Sequence, residues 1–158
     1  MNKIRIMFVC HGNICRSPSS EFIMKKLTGD SNLSDRFEIS SSATSTEEIW
    51  NGVGNPVYPP MKRELEKHGI DCTGKRAVQL QRSDYGKYDF FIGMDSANIR
   101  NMHRIFGSDP ENKISKLMDY TSTGGDVADP WYSERFDIAY SDIYKGCTGL
   151  LERLKNTI

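Results

Sequence analysis

The stretch Ile4-Arg5-Ile6-Met7-Phe8-Val9-Cys10-His11-Gly12-Asn13-Ile14-Cys15-Arg16-Ser17-Pro18 is the most informative part of this sequence of 158 residues. The apolar run 4–9 predicts a buried strand, and residues 18–27 predict a helix. The turn between them brings unpaired backbone N–H groups to the positive end of a helix dipole, which favours an anion. We therefore expect a phosphate or another oxyanion to bind at residues 11–17.

Cys10 is the candidate nucleophile of this turn. Cysteine thiols become acidic beside helix N-termini and cations, so the turn favours a thiolate. The planar guanidinium of Arg16 can bind two phosphate oxygens, and the hydroxyl of Ser17 can donate to the sulfur. Such fixed donors match the charge that develops on oxygen during displacement at phosphorus, a chemistry for which we expect no metal and no cofactor. The predicted phosphate-binding residues are His11, Gly12, Asn13, Ile14, Cys15, Arg16 and Ser17.

Length and composition narrow the class of protein. The length predicts one domain over residues 1–158, large enough to bury a core. Lys plus Arg and Asp plus Glu each number 21, so a nucleic acid is not an expected partner. No run approaches the roughly 20 apolar residues of a membrane span, and we expect no secretory signal and no membrane partner. The four cysteines are then expected to be reduced thiols in the cytoplasm.

Strand and helix patterns alternate along the chain. Such alternation predicts an α/β fold, a three-layer sandwich with a central, mainly parallel four-stranded sheet flanked by helices on both faces. Ligands of such sheets bind at the carboxyl ends of strands, which is where Cys10 lies. A long polar loop that carries Trp50 is predicted to end at Asn55, and a second loop spans residues 120–130. The candidate strands are 4–9, 37–41, 88–94 and 113–118, and the candidate helices are 18–27, 59–68, 96–106 and 135–154.

Two motifs together give the sequence a family resemblance. Val9-Cys10-His11-Gly12-Asn13-Ile14-Cys15-Arg16-Ser17-Pro18 lies near the start, and Asp129-Pro130-Trp131-Tyr132 lies near the end. Together they resemble the low-molecular-weight protein tyrosine phosphatases. The likeness extends to residues 41–44, to residues 68–70 and to Met94-Asp95 with Asn98, so it covers nearly the whole chain.

The chemistry also requires an acid, which the turn lacks, to protonate the leaving oxygen. Asp129 is the candidate, because members of this family carry their general acid in an Asp-Pro pair at this place. The resemblance implies that Cys10 attacks phosphorus while Asp129 protonates the leaving group, and that Asp129 then activates water to hydrolyse the phosphocysteine. It also implies that Cys15 can trap oxidised Cys10 as a reversible disulfide. Asn13 is expected to hold the shape of the loop, since asparagine tolerates a left-handed backbone.

Aromatic residues favour a tyrosine-phosphorylated protein as the substrate. Trp50, Trp131 and Tyr132 are expected to wall a cleft that receives the aromatic ring. Relatives that act on phosphoarginine carry threonine at the place of Ile14, so Ile14 also favours phosphotyrosine. His11 departs from the small or apolar residue that relatives often carry there.

Three further functions share part of this chemistry. Arsenate reductases use a similar loop, but those coupled to thioredoxin need two additional cysteines close together in mid-chain, where this chain has only Cys72. A phosphocarrier that holds phosphate on cysteine without hydrolysis would leave Arg16 and Asp129 without a role. A phosphotyrosine-binding module would not need the complete set of Cys10, Arg16 and Asp129. The leading hypothesis is a metal-independent protein tyrosine phosphatase, with arsenate reduction or phosphoarginine hydrolysis as alternatives.

Overall fold

A four-stranded parallel sheet forms the centre of the computed structural model, which describes residues 2–158. The strands of this part of the chain are β1 (Ile4–Cys10), β2 (Phe37–Ala43), β3 (Ile49–Trp50), β4 (Val53–Gly54), β5 (Phe90–Gly93) and β6 (Ile114–Lys116). The central sheet has the order β2-β1-β5-β6, and each neighbouring pair is parallel. All four of its strands lie within or close to the predicted ranges.

Helices cover both faces of this sheet. The α-helices of the described residues are α1 (Arg16–Asp30), α2 (Pro59–Lys67), α3 (Ser96–Phe106), α4 (Pro130–Ser133) and α5 (Phe136–Lys155). Side chains of β1 alternate between the two faces: Ile6 and Phe8 pack in the core formed with α1, α2 and α5, whereas Met7 and Val9 pack with α3. Burial on both faces explains why β1 is a continuous apolar run. The predicted three-layer α/β sandwich is confirmed.

Capping residues define the helix ends where the sequence predicts them. Asp95 precedes α3 and accepts a hydrogen bond from the backbone N–H of Asn98, and Gly107 ends α3 with a φ of 82°. Pro59 begins α2, since a first-turn residue needs no N–H partner. Helix α1 begins at Arg16, two residues before the predicted start, so the guanidinium belongs to the first turn of the helix.

Residues 44–55 differ from the prediction of one long polar loop. They contain the antiparallel hairpin of β3 and β4, in which Ile49 pairs with Gly54 and Trp50 with Val53. The turn between these strands is Asn51-Gly52, and both residues have positive φ. Asn-Gly is the residue pair that a tight type I′ hairpin favours, so the local sequence does contain a signal for this hairpin.

The loop predicted at residues 120–130 is largely confirmed. A short 3-10 helix, Leu117–Tyr120, leads into it, and α4 begins at Pro130. Within residues 2–158, no helix combines the length and apolar character needed to cross a membrane.

Candidate active site

The loop between β1 and α1 surrounds the sulfur of Cys10 with hydrogen-bond donors. The backbone N–H groups of Asn13 and Ser17 lie 3.3 and 3.4 Å from Sγ, and the Ser17 hydroxyl lies 2.9 Å from it. Cys10 is buried at the end of β1, where the strand leaves the sheet. Two backbone N–H groups and one hydroxyl therefore converge on this sulfur.

Asn13 holds the loop in this shape. Its φ is 59°, a left-handed conformation that asparagine tolerates, and its side chain is buried. Nδ2 donates to the hydroxyl oxygens of Ser17 and Ser41, at 2.8 and 3.0 Å, and Oδ1 accepts from the backbone N–H of Val78 at 3.0 Å. Ser17 Oγ accepts from Asn13, and its hydroxyl lies within hydrogen-bond distance of both Cys10 Sγ, at 2.9 Å, and the Ser42 carbonyl oxygen, at 3.5 Å. The predicted structural role of Asn13 is consistent with these contacts.

A buried carboxylate continues this network behind the loop. Ser41 donates to Glu21 Oε1 at 2.6 Å, and Lys75 Nζ lies 3.6 Å from the same oxygen and donates to the Ser41 carbonyl at 3.0 Å. Burial lowers the pKa of the Lys75 ammonium, although Glu21 acts in the opposite direction. Lys75 therefore stands two hydrogen bonds away from Asn13, behind the loop and not within it.

Arg16 is buried and held by groups from two other elements. Its Nη1 donates to Asp95 Oδ2 and to the Val127 carbonyl, both at 2.8 Å, and its Nη2 lies 3.6 Å from Asp129 Oδ2. Burial alone would lower the pKa of Arg16, but Cys10 and the two carboxylates outweigh burial and raise it. Burial likewise opposes ionisation of Asp95, yet the hydrogen bonds from Asn98 and Arg16 prevail and lower the pKa of its carboxyl.

Asp129 has two structural contacts. Its Oδ1 accepts a hydrogen bond from the backbone N–H of Trp131, which caps the short helix α4, and its Oδ2 faces Arg16. The side chain remains 32% exposed and lines the same cavity as Cys10. Asp129 is thus both a helix cap and a carboxylate that can reach a bound ligand.

The cavity above the sulfur has a volume of about 250 Å³. Its aromatic side includes Tyr58 and Trp131, whose ring centroids lie 5.1 Å apart, together with the exposed Tyr132. The lining residues are Cys10, His11, Gly12, Asn13, Ile14, Cys15, Arg16, Glu47, Glu48, Tyr58, Asp129, Trp131 and Tyr132.

Two predicted site residues do not line this cavity. Trp50 is 79% exposed at the tip of the β3–β4 hairpin, because the pairing with Val53 leaves both side chains in solvent. Ser17 is fully buried beneath the loop, where it contacts the sulfur of Cys10 and not the cavity. Trp50 and Ser17 therefore lie outside the cavity that the other predicted site residues line.

Comparisons with known proteins agree with this geometry. The family model for low molecular weight phosphotyrosine protein phosphatase matches residues 5–158. The low molecular weight protein-tyrosine-phosphatase YfkJ of Bacillus subtilis is 32% identical over 154 residues, which cover 96% of each chain. The corresponding phosphatase of Rattus norvegicus is 35% identical over 153 residues, 94% of each chain. The crystal structure of YfkJ superposes with a TM-score of 0.93 and covers 99% of this chain and 98% of YfkJ.

The chain belongs to the low molecular weight phosphotyrosine protein phosphatase family. The resemblance drawn from the two motifs is therefore confirmed. In the structure the cysteine loop and Asp129 meet at one cavity, and Asp129 faces Arg16 although the two residues are far apart in the sequence.

Several residues of this phosphatase site are not predicted by the sequence. Tyr58 carries no signal beyond its place before two prolines, and Glu47 and Glu48 stand in a polar segment without periodicity. The sequence indicates Asp95 as a helix cap but not as the partner of Arg16. Only the packed structure brings these residues to the cysteine loop.

The other thiols differ in their surroundings. Cys15 lines the cavity, and burial raises the pKa of its thiol, so it is a neutral thiol near neutral pH. Cys72 and Cys147 are buried in the apolar core, where burial raises the pKa of both thiols. All four cysteines are free. Cys72 and Cys147 are thus part of the packed core and not of the cavity.

Proposed function

We propose that this chain hydrolyses phosphotyrosine monoesters in proteins through a phosphocysteine intermediate. The observation that carries this proposal is the convergence of two backbone N–H groups and the Ser17 hydroxyl on Cys10 Sγ, in a cavity that Arg16 and Asp129 also line. This arrangement supplies a nucleophile, an oxyanion site and a proton donor at one place. The aromatic residues Tyr58, Trp131 and Tyr132 suit the ring of phosphotyrosine.

In the first step, the sulfur of Cys10 attacks phosphorus and the bond from phosphorus to the tyrosine oxygen breaks. The bonding electrons leave with the phenolic oxygen, which takes a proton from Asp129. Arg16 is held through Nη1, so Nη2 is the group we expect to bind the phosphate oxygens together with the loop N–H groups.

In the second step, water attacks phosphorus and the bond to sulfur breaks. Asp129, now a carboxylate, accepts a proton from this water. The products are inorganic phosphate and the Cys10 thiolate, which the three donors around Sγ stabilise. Asp129 is suited to both steps because its side chain lies between Arg16 and the open cavity.

Two further proposals concern regulation and location. We propose that Cys15, which lines the same cavity as Cys10, forms a reversible disulfide with it after oxidation.

We also propose that the protein acts in the cytoplasm, because four free thiols are typical of a reducing compartment.

The decisive experiment compares substrates side by side in a buffer with chelator. Steady-state rates are measured on phosphotyrosine, phosphoserine and phosphoarginine, and on arsenate with thioredoxin. We expect phosphotyrosine to be the fastest by at least about tenfold, and Cys10→Ser to lower its hydrolysis by at least about 10³-fold. Faster reduction of arsenate, or faster hydrolysis of phosphoarginine, would show that one of the alternatives is the main activity.

A further inference from the structure

The segment 45–48 is bound tightly to the cysteine loop. The backbone carbonyl of His11 accepts hydrogen bonds from the backbone N–H and the hydroxyl of Ser45, at 3.0 and 2.9 Å. The imidazole Nε2 of His11 lies 2.9 Å from Glu47 Oε2. Segment 45–48 therefore has a defined position relative to the phosphate-binding loop, with Thr46 and Glu47 exposed and Ser45 and Glu48 half-buried.

Glu48 is fixed at the mouth of the cavity by different contacts. A Cβ atom added to Gly12 would lie 3.1 Å from Glu48 Cγ, so the Glu48 side chain packs directly over the loop at its glycine. Glu48 Oε1 accepts from Asn55 Nδ2 at 3.0 Å, and the Glu48 carbonyl accepts from the Asn55 backbone N–H at 2.8 Å. Asn55 is neutral, so the charge of Glu48 is not compensated by this partner.

The charges that line the cavity are divided between its floor and its mouth. Arg16 is 4% exposed and already contacts Asp95 and Asp129, whereas Glu47 is 68% exposed at the mouth. Apart from Arg16 and the imidazole of His11, no basic side chain is among the lining residues found within 2–158. The mouth on the side of segment 45–48 is therefore acidic, while the floor favours an anion.

We propose that Glu47 and Glu48 select phosphotyrosine sites that are flanked by lysine or arginine. The proposal rests on the proposed function, because it assigns a sequence context to the substrate of the same cavity. The phosphate enters the floor, and the residues beside the phosphotyrosine remain at the mouth within reach of the two carboxylates. A basic neighbour gains an ion pair there, whereas an acidic neighbour meets two like charges, and both effects contribute to specificity.

The test uses two phosphotyrosine peptides of equal length. In one peptide the phosphotyrosine is flanked on both sides by lysine, and in the other it is flanked on both sides by glutamate. For the unaltered protein we expect kcat/KM to be about three- to tenfold higher for the lysine peptide, since exposed ion pairs are each worth a factor of up to about five. In about 1 M salt the ratio of the two kcat/KM values should fall toward one, because the Debye length is then only roughly 3 Å and the ion pairs are screened. The single variant Glu48→Gln should lower this ratio, and the double variant that combines it with Glu47→Gln should lower it too. Glutamine can keep the hydrogen bonds of the side chain that it replaces, but it removes the negative charge.

Glu152→Gln is the matched control, since Glu152 is an exposed glutamate on α5 that is not among the cavity residues. This variant should show the same ratio of kcat/KM values for the two peptides as the unaltered protein. A ratio near one, or a preference for the glutamate peptide, in a protein that hydrolyses p-nitrophenyl phosphate would overturn this inference alone. Absence of hydrolysis of every aryl phosphate would overturn the proposed function, and this inference with it.

Discussion

At the level of single residues, Asp95 and Asp129 share one arrangement. Each uses Oδ1 to cap the helix that follows it, by accepting from the backbone N–H of Asn98 or Trp131, and each presents Oδ2 to Arg16. A helix cap fixes the orientation of the carboxylate, because one oxygen is tied to the first turn. The guanidinium of Arg16 is thereby positioned by two carboxylates that cannot rotate freely.

Asp129→Asn tests the proposed general acid. Asparagine still caps α4, but it cannot protonate a leaving oxygen, so phenyl phosphate should be hydrolysed about 10²- to 10⁴-fold more slowly. The loss should be much smaller for p-nitrophenyl phosphate, whose leaving group needs little protonation. Asp126→Asn, an exposed change in the same loop, serves as the control. Equal slowing of both substrates by Asp129→Asn would argue against the acid role.

Cys15→Ser tests the proposed redox protection. Mild peroxide should oxidise Cys10 to a sulfenic acid, and the Cys15 thiol should then displace water to form a disulfide that dithiothreitol reduces. Without Cys15, we expect a smaller fraction of the activity to return after dithiothreitol. The control is Cys72→Ser, which removes a buried thiol that is not among the cavity residues. Its activity should return after dithiothreitol as fully as that of the unaltered protein. Full recovery of Cys15→Ser would contradict a disulfide between Cys10 and Cys15.

At the level of elements, close contact between α5 and the 3-10 helix Leu117–Tyr120 sets the start of the loop that carries Asp129. Glycines of α5 allow this approach: a Cβ atom on Gly149 would lie 1.9 Å from the Tyr120 carbonyl oxygen, and one on Gly146 would lie 2.5 Å from Leu117 Cγ. Glycine is unfavourable inside a helix by about 1 kcal/mol relative to alanine. Its presence at both positions indicates that the contact outweighs this cost.

Gly149→Ala should therefore destabilise the protein although alanine is the better helix former. We expect the free energy of unfolding to fall by about 2 kcal/mol, as is typical of overpacking. Urea unfolding followed by circular dichroism measures this change. Gly86→Ala is the control, because a Cβ atom there meets nothing within 4 Å. The interpretation fails if Gly149→Ala is as stable as Gly86→Ala.

At the level of the whole molecule, the parallel sheet gathers the site at one edge. Cys10 ends β1, Asp95 follows β5, and the loop to Asp129 follows β6, so the carboxyl ends of three strands supply the nucleophile, the partner of Arg16 and the acid. Arg16 connects these segments, since it is bonded to Asp95 and to the Val127 carbonyl. The same contacts that position the guanidinium also join α1 to the opposite layer.

Asp95→Asn tests how much this connection stabilises the fold, and its effect should depend on pH. Asparagine keeps the cap of α3 but loses the charged hydrogen bond to Arg16, which should cost about 2 kcal/mol at about pH 7. The pKa of Asp95 is lowered in the folded protein, so its contribution is complete above the ordinary value of about 4 and is lost as the pH falls through the lowered pKa. The difference in unfolding free energy between Asp95→Asn and the unaltered protein should accordingly shrink below about pH 4.

Urea unfolding at several pH values measures this difference. The control is Asp137→Asn, which removes an exposed ion pair with Arg135 and should change stability little. A difference between Asp95→Asn and the unaltered protein that stays constant down to the lowest pH would contradict a role for the ionised carboxylate.

Much of the fold, and the candidate reacting groups, can be predicted from the amino-acid sequence. The strand, turn and helix around Cys10 follow from an apolar run, a glycine-containing turn and a helix start, all of which depend on near neighbours in the chain. The role of Asp129 is not predicted by its neighbouring residues alone, because an Asp-Pro pair is common in turns. Only its combination with the cysteine loop indicates a general acid. The Asn51-Gly52 hairpin is also predictable in principle, because its turn preference is local.

The walls of the cavity depend on packing between distant segments. Arg16 and Val127 are 111 residues apart, yet they form a hydrogen bond, and Tyr58 packs against Trp131 from the start of another helix. Periodicity and turn motifs reflect the preferences of short segments and carry no information on which segments will meet. Local sequence thus determined the chemistry of the cysteine loop, whereas the partners of Arg16, the outward position of Trp50 and the acidic mouth arose when the sheet and its helices packed together.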